Sequence, residues 1–145
     1  VAGLLHDIGQ LAILDAVPGY ISQFMDWGEP LKLDINEVEM EVIGIDHGEI
    51  SGRIFKHWNF PETLTDAVRH HHNPELAEKS NLLAHILYSA DRFFPLACAW
   101  GAPMSANELA EMPFLKERNI AEDDIAAIKA ETEEHYGEIA EVLGV

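Results

Sequence analysis

Cysteine is almost missing from this chain: Cys98 stands alone among 145 residues. No intramolecular disulfide can form, and no CxxC zinc or redox motif exists. Such usage fits a reducing cytoplasm, the compartment expected here. Basic residues are also scarce, with 9 Lys plus Arg against 26 Asp plus Glu and a net charge of −17 when the histidines are neutral. Nucleic-acid affinity comes largely from Lys and Arg neutralising phosphates, so this balance argues against DNA or RNA as a partner. Long hydrophobic runs are missing as well. Nothing approaches the roughly 18 to 20 apolar residues that cross a bilayer, and the opening Val1-Ala2-Gly3-Leu4-Leu5 lacks the basic region of a signal peptide. No membrane partner is expected. There is no Gly-rich phosphate loop, no Ser-His-Asp order and no nucleophilic-cysteine context, which removes nucleotide-loop and covalent mechanisms.

What is present is a globular composition, 48% apolar and 24% charged, enough for one core and one compact domain over residues 1–145. Apolar positions recur at three and four almost throughout, and alternating polar/β-branched runs are absent, so the expected fold class is all-α. A first helix is expected to carry Leu4, Leu5, Ile8, Leu11 and Ala12 inward and to stop before Pro18. Because the chain opens inside that pattern without an initiating Met or a cap, it reads as a fragment lacking upstream helices, with oligomerisation possible through the surface they would cover. A short second helix holds Tyr20, Ile21, Phe24 and Met25 and ends near Gly28.

Asp34 followed by Glu37 has capping-box spacing, and the helix it opens is expected to run to about Trp58. Val38, Val42 and Ile45 face inward in that reading, while Glu37, Glu39 and Glu41 are solvated. Gly44, Gly48 and Gly52 fall four apart, which signals close packing of another backbone, with a helix break near Gly44 as the alternative. Pro61 opens a helix striped by Leu64, Ala67, Val68 and His71 and closed by Asn73-Pro74. Asn81 caps another through Leu83, Ile86, Leu87, Ala90 and Phe94, with Asp91 inward and a stop at Pro95. Past Gly101, a Ser105-to-Glu108 capping box and Pro113 precede a long helix striped by Ile125, Ile128, Thr132, His135, Ile139 and Val142. This tail, with 11 acids and 3 bases over residues 101–145, reads as an acidic helical cover, of a length that would also suit docking on a neighbour.

Four places combine metal-capable residue types with inward contexts: His6-Asp7, His47 after Asp46, His70-His71-His72, and Asp91. Imidazole and carboxylate together suit zinc, iron, manganese or nickel, whereas calcium takes oxygen alone. Groups on several helices can share an ion only if those helices bundle around one point. Such a centre can activate water against a phosphoester, neutral imidazoles anchoring the ions while a carboxylate bridges them. Each position also has a plainer reading. His6-Asp7 would be a polar pair bonded to a neighbouring helix end, His47 an exposed histidine beside a kink, and His72 a cap on its own helix. Asp91 would pair with Arg92 or Arg69. His57, His85 and His135 are read as packing or surface residues, and Trp27, Trp58 and Trp100 as core.

Leu4-Leu5-His6-Asp7-Ile8-Gly9 resembles the signature of the HD superfamily of metal-dependent phosphohydrolases, and Val68-Arg69-His70-His71-His72 with Asp91 extends the likeness. The more specific resemblance, over residues 1–95, is to HDOD domains, HD-related output domains of bacterial signalling proteins. It rests on Asp46-His47-Gly48-Glu49-Ile50-Ser51-Gly52, Lys56-His57-Trp58-Asn59-Phe60-Pro61, and the stretch from Ala67 to Pro74. Similarity to HD-GYP phosphodiesterases implies His6, Asp7, His47, His71, His72 and Asp91 as metal ligands, Asp7 bridging, with His70 at a non-ligand position. Gln10 stands where those enzymes have a lysine, Asn73-Pro74-Glu75 replaces their Gly-Tyr-Pro loop, and their ligand-bearing helix before the His-Asp pair lies outside this sequence. The resemblance therefore implies an HD-like core at residues 1–95, to which the composition adds the acidic helical cover at 96–145. Its function would be regulatory, by contact with other signalling domains or proteins. A metal-dependent phosphohydrolase, with Asp7 as the catalytic group, is the alternative.

Overall fold

The computed structural model describes residues 1–20, 22, 34–93 and 104–143, and every regular element among them is helical. The chain divides into two compact units, Val1–Pro103 and Met104–Val145.

The first unit opens with α1 (Ala2–Leu5) and α2 (Ile8–Ala16). These were expected as one helix; a turn at His6 and Asp7 separates them. Because that turn interrupts the periodicity, the expected stripe holds only in part: Leu5 and Ile8 pack against the core and Ala2, Gly9 and Ile13 are buried, while Leu4 and Leu11 are 86% and 61% exposed. The stop before Pro18 does hold, with Val17 in the extended conformation that a following proline demands. Of the next expected helix, Ile21 and the stretch 23–33 lie outside the described residues; Tyr20 is buried.

Asp34 opens α3 (Ile35–Val42), and its N–H donates to Glu37 Oε2 at 2.9 Å as the capping-box spacing predicts. The helix does not run on to Trp58. Gly44 takes φ +75° and ends it, with Ile43 N–H and Gly44 N–H returning to the carbonyls of Glu39 and Met40. Asp46 then caps a separate helix, α4 (His47–His57), by accepting Glu49 N–H at 2.7 Å. The other two glycines do mark close packing. A Cβ at Gly48 would stand 2.9 Å from Arg69 O, and one at Gly52 2.9 Å from Arg69 Cβ. The helix approached is α5 (Glu62–Arg69).

Ala67 and Val68 of α5 are buried as expected, but the helix ends at Arg69, four residues short of the expected Asn73-Pro74 stop. His71 Nδ1 donates to Val68 O at 2.6 Å, occupying a carbonyl that a continuing helix would give to a backbone amide. A 3₁₀ turn (Pro74–Leu76) leads to α6 (Asn81–Phe93). Here Ala84 and Leu87 are buried, whereas Ile86, expected inward, is 51% exposed; Phe94 and Pro95 lie outside the described residues. Phe55, Ala67, Val68, Ala84 and Leu87 form one apolar cluster, and Ile13, Tyr20, Ile35 and Val38 another. Trp58, read as core, is half exposed; Trp27 and Trp100 lie outside the described residues.

The second unit contains α7 (Ala106–Ala110), α8 (Pro113–Lys116) and α9 (Glu122–Leu143). Its predicted capping box is present: Ser105 Oγ accepts Glu108 N–H at 3.2 Å, and Ser105 N–H donates to Glu108 Oε2 at 2.7 Å. Leu109, Phe114, Leu115 and Ile125 are buried. The rest of the expected α9 stripe, from Ile128 through Ile139 to Val142, is exposed.

Candidate metal centre

Three local devices deliver the centre. The turn between α1 and α2 presents His6 and Asp7. The Gly44 break starts a new helix at His47. The early end of α5 turns His71 and His72 back toward both. Asp91 comes from the inward face of α6. Gly9, the second residue of α2, permits the approach, because a Cβ there would collide with the His47 carbonyl oxygen. The Gly9 amide, one of the orphan donors of a helix start, donates to Ser51 Oγ at 2.9 Å.

The structure brings all six expected side chains together. Asp7 Oδ1 lies 3.3 Å from His47 Nε2 and 3.5 Å from His71 Nε2, and Asp7 Oδ2 lies 3.3 Å from His6 Nε2. Asp91 Oδ1 meets His6 Nε2 at 2.9 Å, so its partner is this imidazole, while Arg92 pairs with Asp34 and Arg69 with Glu49. His72 Nε2 is 2.6 Å from His47 Nε2. His47 and His71 are fully buried, which corrects the plainer reading of His47 as an exposed residue beside a kink. Asp46 is a helix cap, and His70, beside Asp66 at 3.8 Å, stays outside the cluster. His57 and His135 are exposed, and His85 is buried with its Nδ1 3.0 Å from Asn81 O.

The ring orientations share a pattern. His6 Nδ1 donates to Gly3 O at 2.9 Å, His71 Nδ1 to Val68 O at 2.6 Å, and His47 Nδ1 to Glu39 Oε2 at 2.7 Å. Each oxygen can only accept there, so Nδ1 carries the proton and Nε2 faces the centre. His71 Nε2 and Asp7 Oδ1 are both buried without a hydrogen-bond partner in proper geometry. Buried orphans of this kind are costly and call for a missing cation or proton.

The electrostatics agree. Burial opposes ionisation of Asp7, but the imidazoles of His47 and His71 close beside it, and His6, outweigh it and hold the carboxyl well below the usual range. Burial disfavours the His47 imidazolium, yet its bonds to Asp7 and Glu39 raise it to about 9. Burial likewise works against His6, and Asp91 and Asp7 raise it. Burial, then the neighbouring His71 and His47, drive His72 down. The Nε2 atoms of His47 and His72, 2.6 Å apart, thus share a position at which a proton and a metal ion compete.

His47, His71 and His72 place one ligand atom each within 4.8 Å of one another, and so do His6, Asp7 and His71. The donor set of imidazole nitrogens and carboxylates fits a divalent transition cation. Two overlapping groups sharing His71 leave both a mononuclear and a bridged arrangement open to the same residues.

The sequence reading missed Glu39. It was placed among solvated acids, yet it is fully buried, and Tyr20 Oη, His47 N–H and His47 Nδ1–H all donate to it, at 2.6, 2.7 and 2.7 Å. A signal existed: Ile35, Val38, Glu39 and Val42 form an i, i+3, i+4, i+7 stripe, with the acid inside it.

Comparison with known proteins places these residues in context. The HDOD domain family matches residues 1–74. An uncharacterized protein of Treponema pallidum (strain Nichols) is 25% identical over 73 residues, covering 50% of this chain but only 14% of that protein's length. No solved structure gives a significant match. With its His-Asp turn, its His47 helix and its histidine run converging on one helical centre, and with the family match spanning half its length, the chain belongs to the HDOD domain family.

Proposed function

We propose that the chain is a regulatory HDOD output domain acting by protein–protein contact, and that a divalent transition cation in the His/Asp centre ties α2, α4 and α5 together. The observation that carries this reading is an open apolar groove of about 540 Å³ on the two helices that flank Asp7 and hold His47. Ile8, Leu11, Ala12, Ile50, Ile54 and Trp58 line it, with Arg53 and His57 at its edge. Contiguous exposed apolar surface of this kind marks an interaction site. The occupant it fits is an amphipathic helix with acidic flanks: Lys56 and Arg53, the latter already bonded to Glu49 at 2.9 Å, are exposed on α4 of a chain of net charge −17. Ile8 adjoins Asp7 and Ile50 lies one turn after His47, so an ion held by both residues fixes the spacing of the groove walls.

Hydrolysis is the second reading, favoured by one feature: the Asp7 side chain is 44% exposed and so reachable from solvent. A bound cation would supply Lewis acidity and an activated nucleophile there, while Asp7 and the imidazoles would orient it. Against it, the nearby guanidiniums are already paired, Arg92 with Asp34 and Arg69 with Glu49, which leaves neither presented to a substrate phosphate. Gln10 supplies no positive charge either.

The two readings separate in one set of measurements on protein purified without chelator. Metal content is determined, phosphodiesters and phosphomonoesters are screened with Mn and Fe added, and a synthetic Leu/Glu amphipathic helix is titrated by NMR. Contact predicts no turnover, with saturable shifts at Ile8, Leu11, Ile54 and the Trp58 indole that Leu11→Glu removes. Turnover lost in Asp7→Ala, or no saturable binding of the peptide, overturns it.

A further inference from the structure

We infer that Glu39 is a positioning residue of the His/Asp centre: by accepting the Nδ1 proton of His47 it fixes the tautomer that turns Nε2 toward the other ligands, and thereby sets the affinity for a cation. The inference rests on the reading that the centre holds a divalent transition metal, and it concerns a residue that never touches the ion.

The geometry leaves Glu39 little other role. One oxygen, Oε2, takes both the backbone N–H and the ring Nδ1–H of His47 at 2.7 Å each, so the carboxylate grips the residue at two points and fixes the ring relative to its own backbone. The other oxygen, Oε1, accepts Tyr20 Oη at 2.6 Å, which stops the carboxylate from rotating away. All three side chains are buried, so no water competes for these bonds. Chain connectivity alone does not impose this arrangement. Glu39 sits near the end of α3 and His47 at the start of α4, separated by the Gly44 break. The bond therefore spans the one point where the backbone between them changes direction.

Its consequence for a metal follows from ligand chemistry. A carboxylate on the far nitrogen of a ligating histidine fixes the ring and raises its basicity, and loss of such a partner typically weakens metal binding about 10- to 100-fold. Among the imidazoles here, His6 and His71 use neutral backbone carbonyls for the same purpose. His47 alone, among those whose Nδ1 bond is described, uses a carboxylate. It is thus the most basic of the nitrogen donors, and the ligand whose affinity one substitution away from the centre can tune.

The test uses the whole chain. Affinities for Zn²⁺ and Co²⁺ are measured by chelator competition for wild type, Glu39→Gln, Tyr20→Phe and the exposed control Glu41→Gln, with the Co²⁺ d–d spectrum recorded alongside. Glu39→Gln keeps the shape and an accepting oxygen but removes the charge, so it is expected to bind about 10-fold more weakly, with an altered Co²⁺ spectrum. Glu41→Gln is expected to stay within about threefold of wild type, whereas Tyr20→Phe, which removes the bond that holds the carboxylate in place, is expected to weaken binding less than Glu39→Gln and in the same direction. A folded Glu39→Gln with wild-type affinity and spectrum overturns the inference. Because this variant can fail to fold, the His47 ring nitrogens are also read in wild type by long-range ¹H–¹⁵N NMR. A proton on Nδ1, slow to exchange, is expected; a ring protonated at Nε2 alone overturns the inference. If wild type binds neither metal, the parent reading fails, and the NMR result still decides whether Glu39 holds the tautomer.

Discussion

Gly9 of α2 faces the backbone carbonyl of His47 so closely that no Cβ fits between them, and its amide donates to Ser51 Oγ one turn further along α4. The two helices that bring Asp7 and His47 together thus meet in direct backbone contact, and their spacing depends on the absence of a side chain at Gly9. Gly9→Ala is expected to destabilise the fold by about 1–3 kcal/mol, the usual cost of overpacking. It should also weaken cation binding, because α2 must move away from α4. Urea denaturation with metal titration on the same samples checks both effects.

Ser51→Ala removes the acceptor without adding bulk. The Gly9 N–H is left buried and unpaired, at a cost of about 1–3 kcal/mol. Ser51→Thr, which keeps a hydroxyl, is expected to recover part of the loss. Equal destabilisation by the two variants would show that packing, and not the hydrogen bond, holds α2 here.

Cation binding should appear as stability. A divalent ion that binds only the folded state adds about 2.7 kcal/mol when its free concentration is a hundred times Kd. Calorimetry is expected to show Tm rising with Zn²⁺ or Mn²⁺, falling back on chelation, and not responding in Asp7→Asn or His71→Ala.

Phe55 is fully buried in the cluster of Ala67, Val68, Ala84 and Leu87. Phe55→Ala is expected to cost about 3–5 kcal/mol, whereas Leu11→Ser on the open groove changes stability by no more than about 0.5 kcal/mol. Urea midpoints at constant m-value provide the comparison.

Tyr20 offers a pH prediction. Burial and then its bond to the Glu39 carboxylate push the phenol well above its ordinary value. The folded form therefore keeps this proton more tightly than the unfolded form. The resulting stability is fully present below the unfolded phenol pKa of about 10 and is lost as pH rises toward the folded value. Alkaline unfolding of wild type should accordingly be steeper with pH than that of Tyr20→Phe, as followed by circular dichroism.

Much of this was legible in the residues themselves. Helical periodicity, the capping boxes at Asp34 and Ser105 and the stop before Pro18 are local effects, readable because their causes lie within a few residues; Gly48 and Gly52 signalled close packing by their spacing, but that the neighbour is Arg69 only the fold decided. The six metal-capable positions were legible by type. What made them a centre was not, since Asp91 and His6 are 85 residues apart and only packing brings Nε2 within 2.9 Å of Oδ1. Tertiary structure also decided where regular helices stop. The chain breaks at His6–Asp7 and at Gly44 and leaves α5 at Arg69 because the side chains and backbone there find better partners across the fold than along the helix. Glu39 shows the limit most clearly. The acids two residues to either side, Glu37 and Glu41, are exposed, and only the convergence of Tyr20 and His47 makes a buried carboxylate less costly than a solvated one, because each of the three donors would otherwise be buried without a partner.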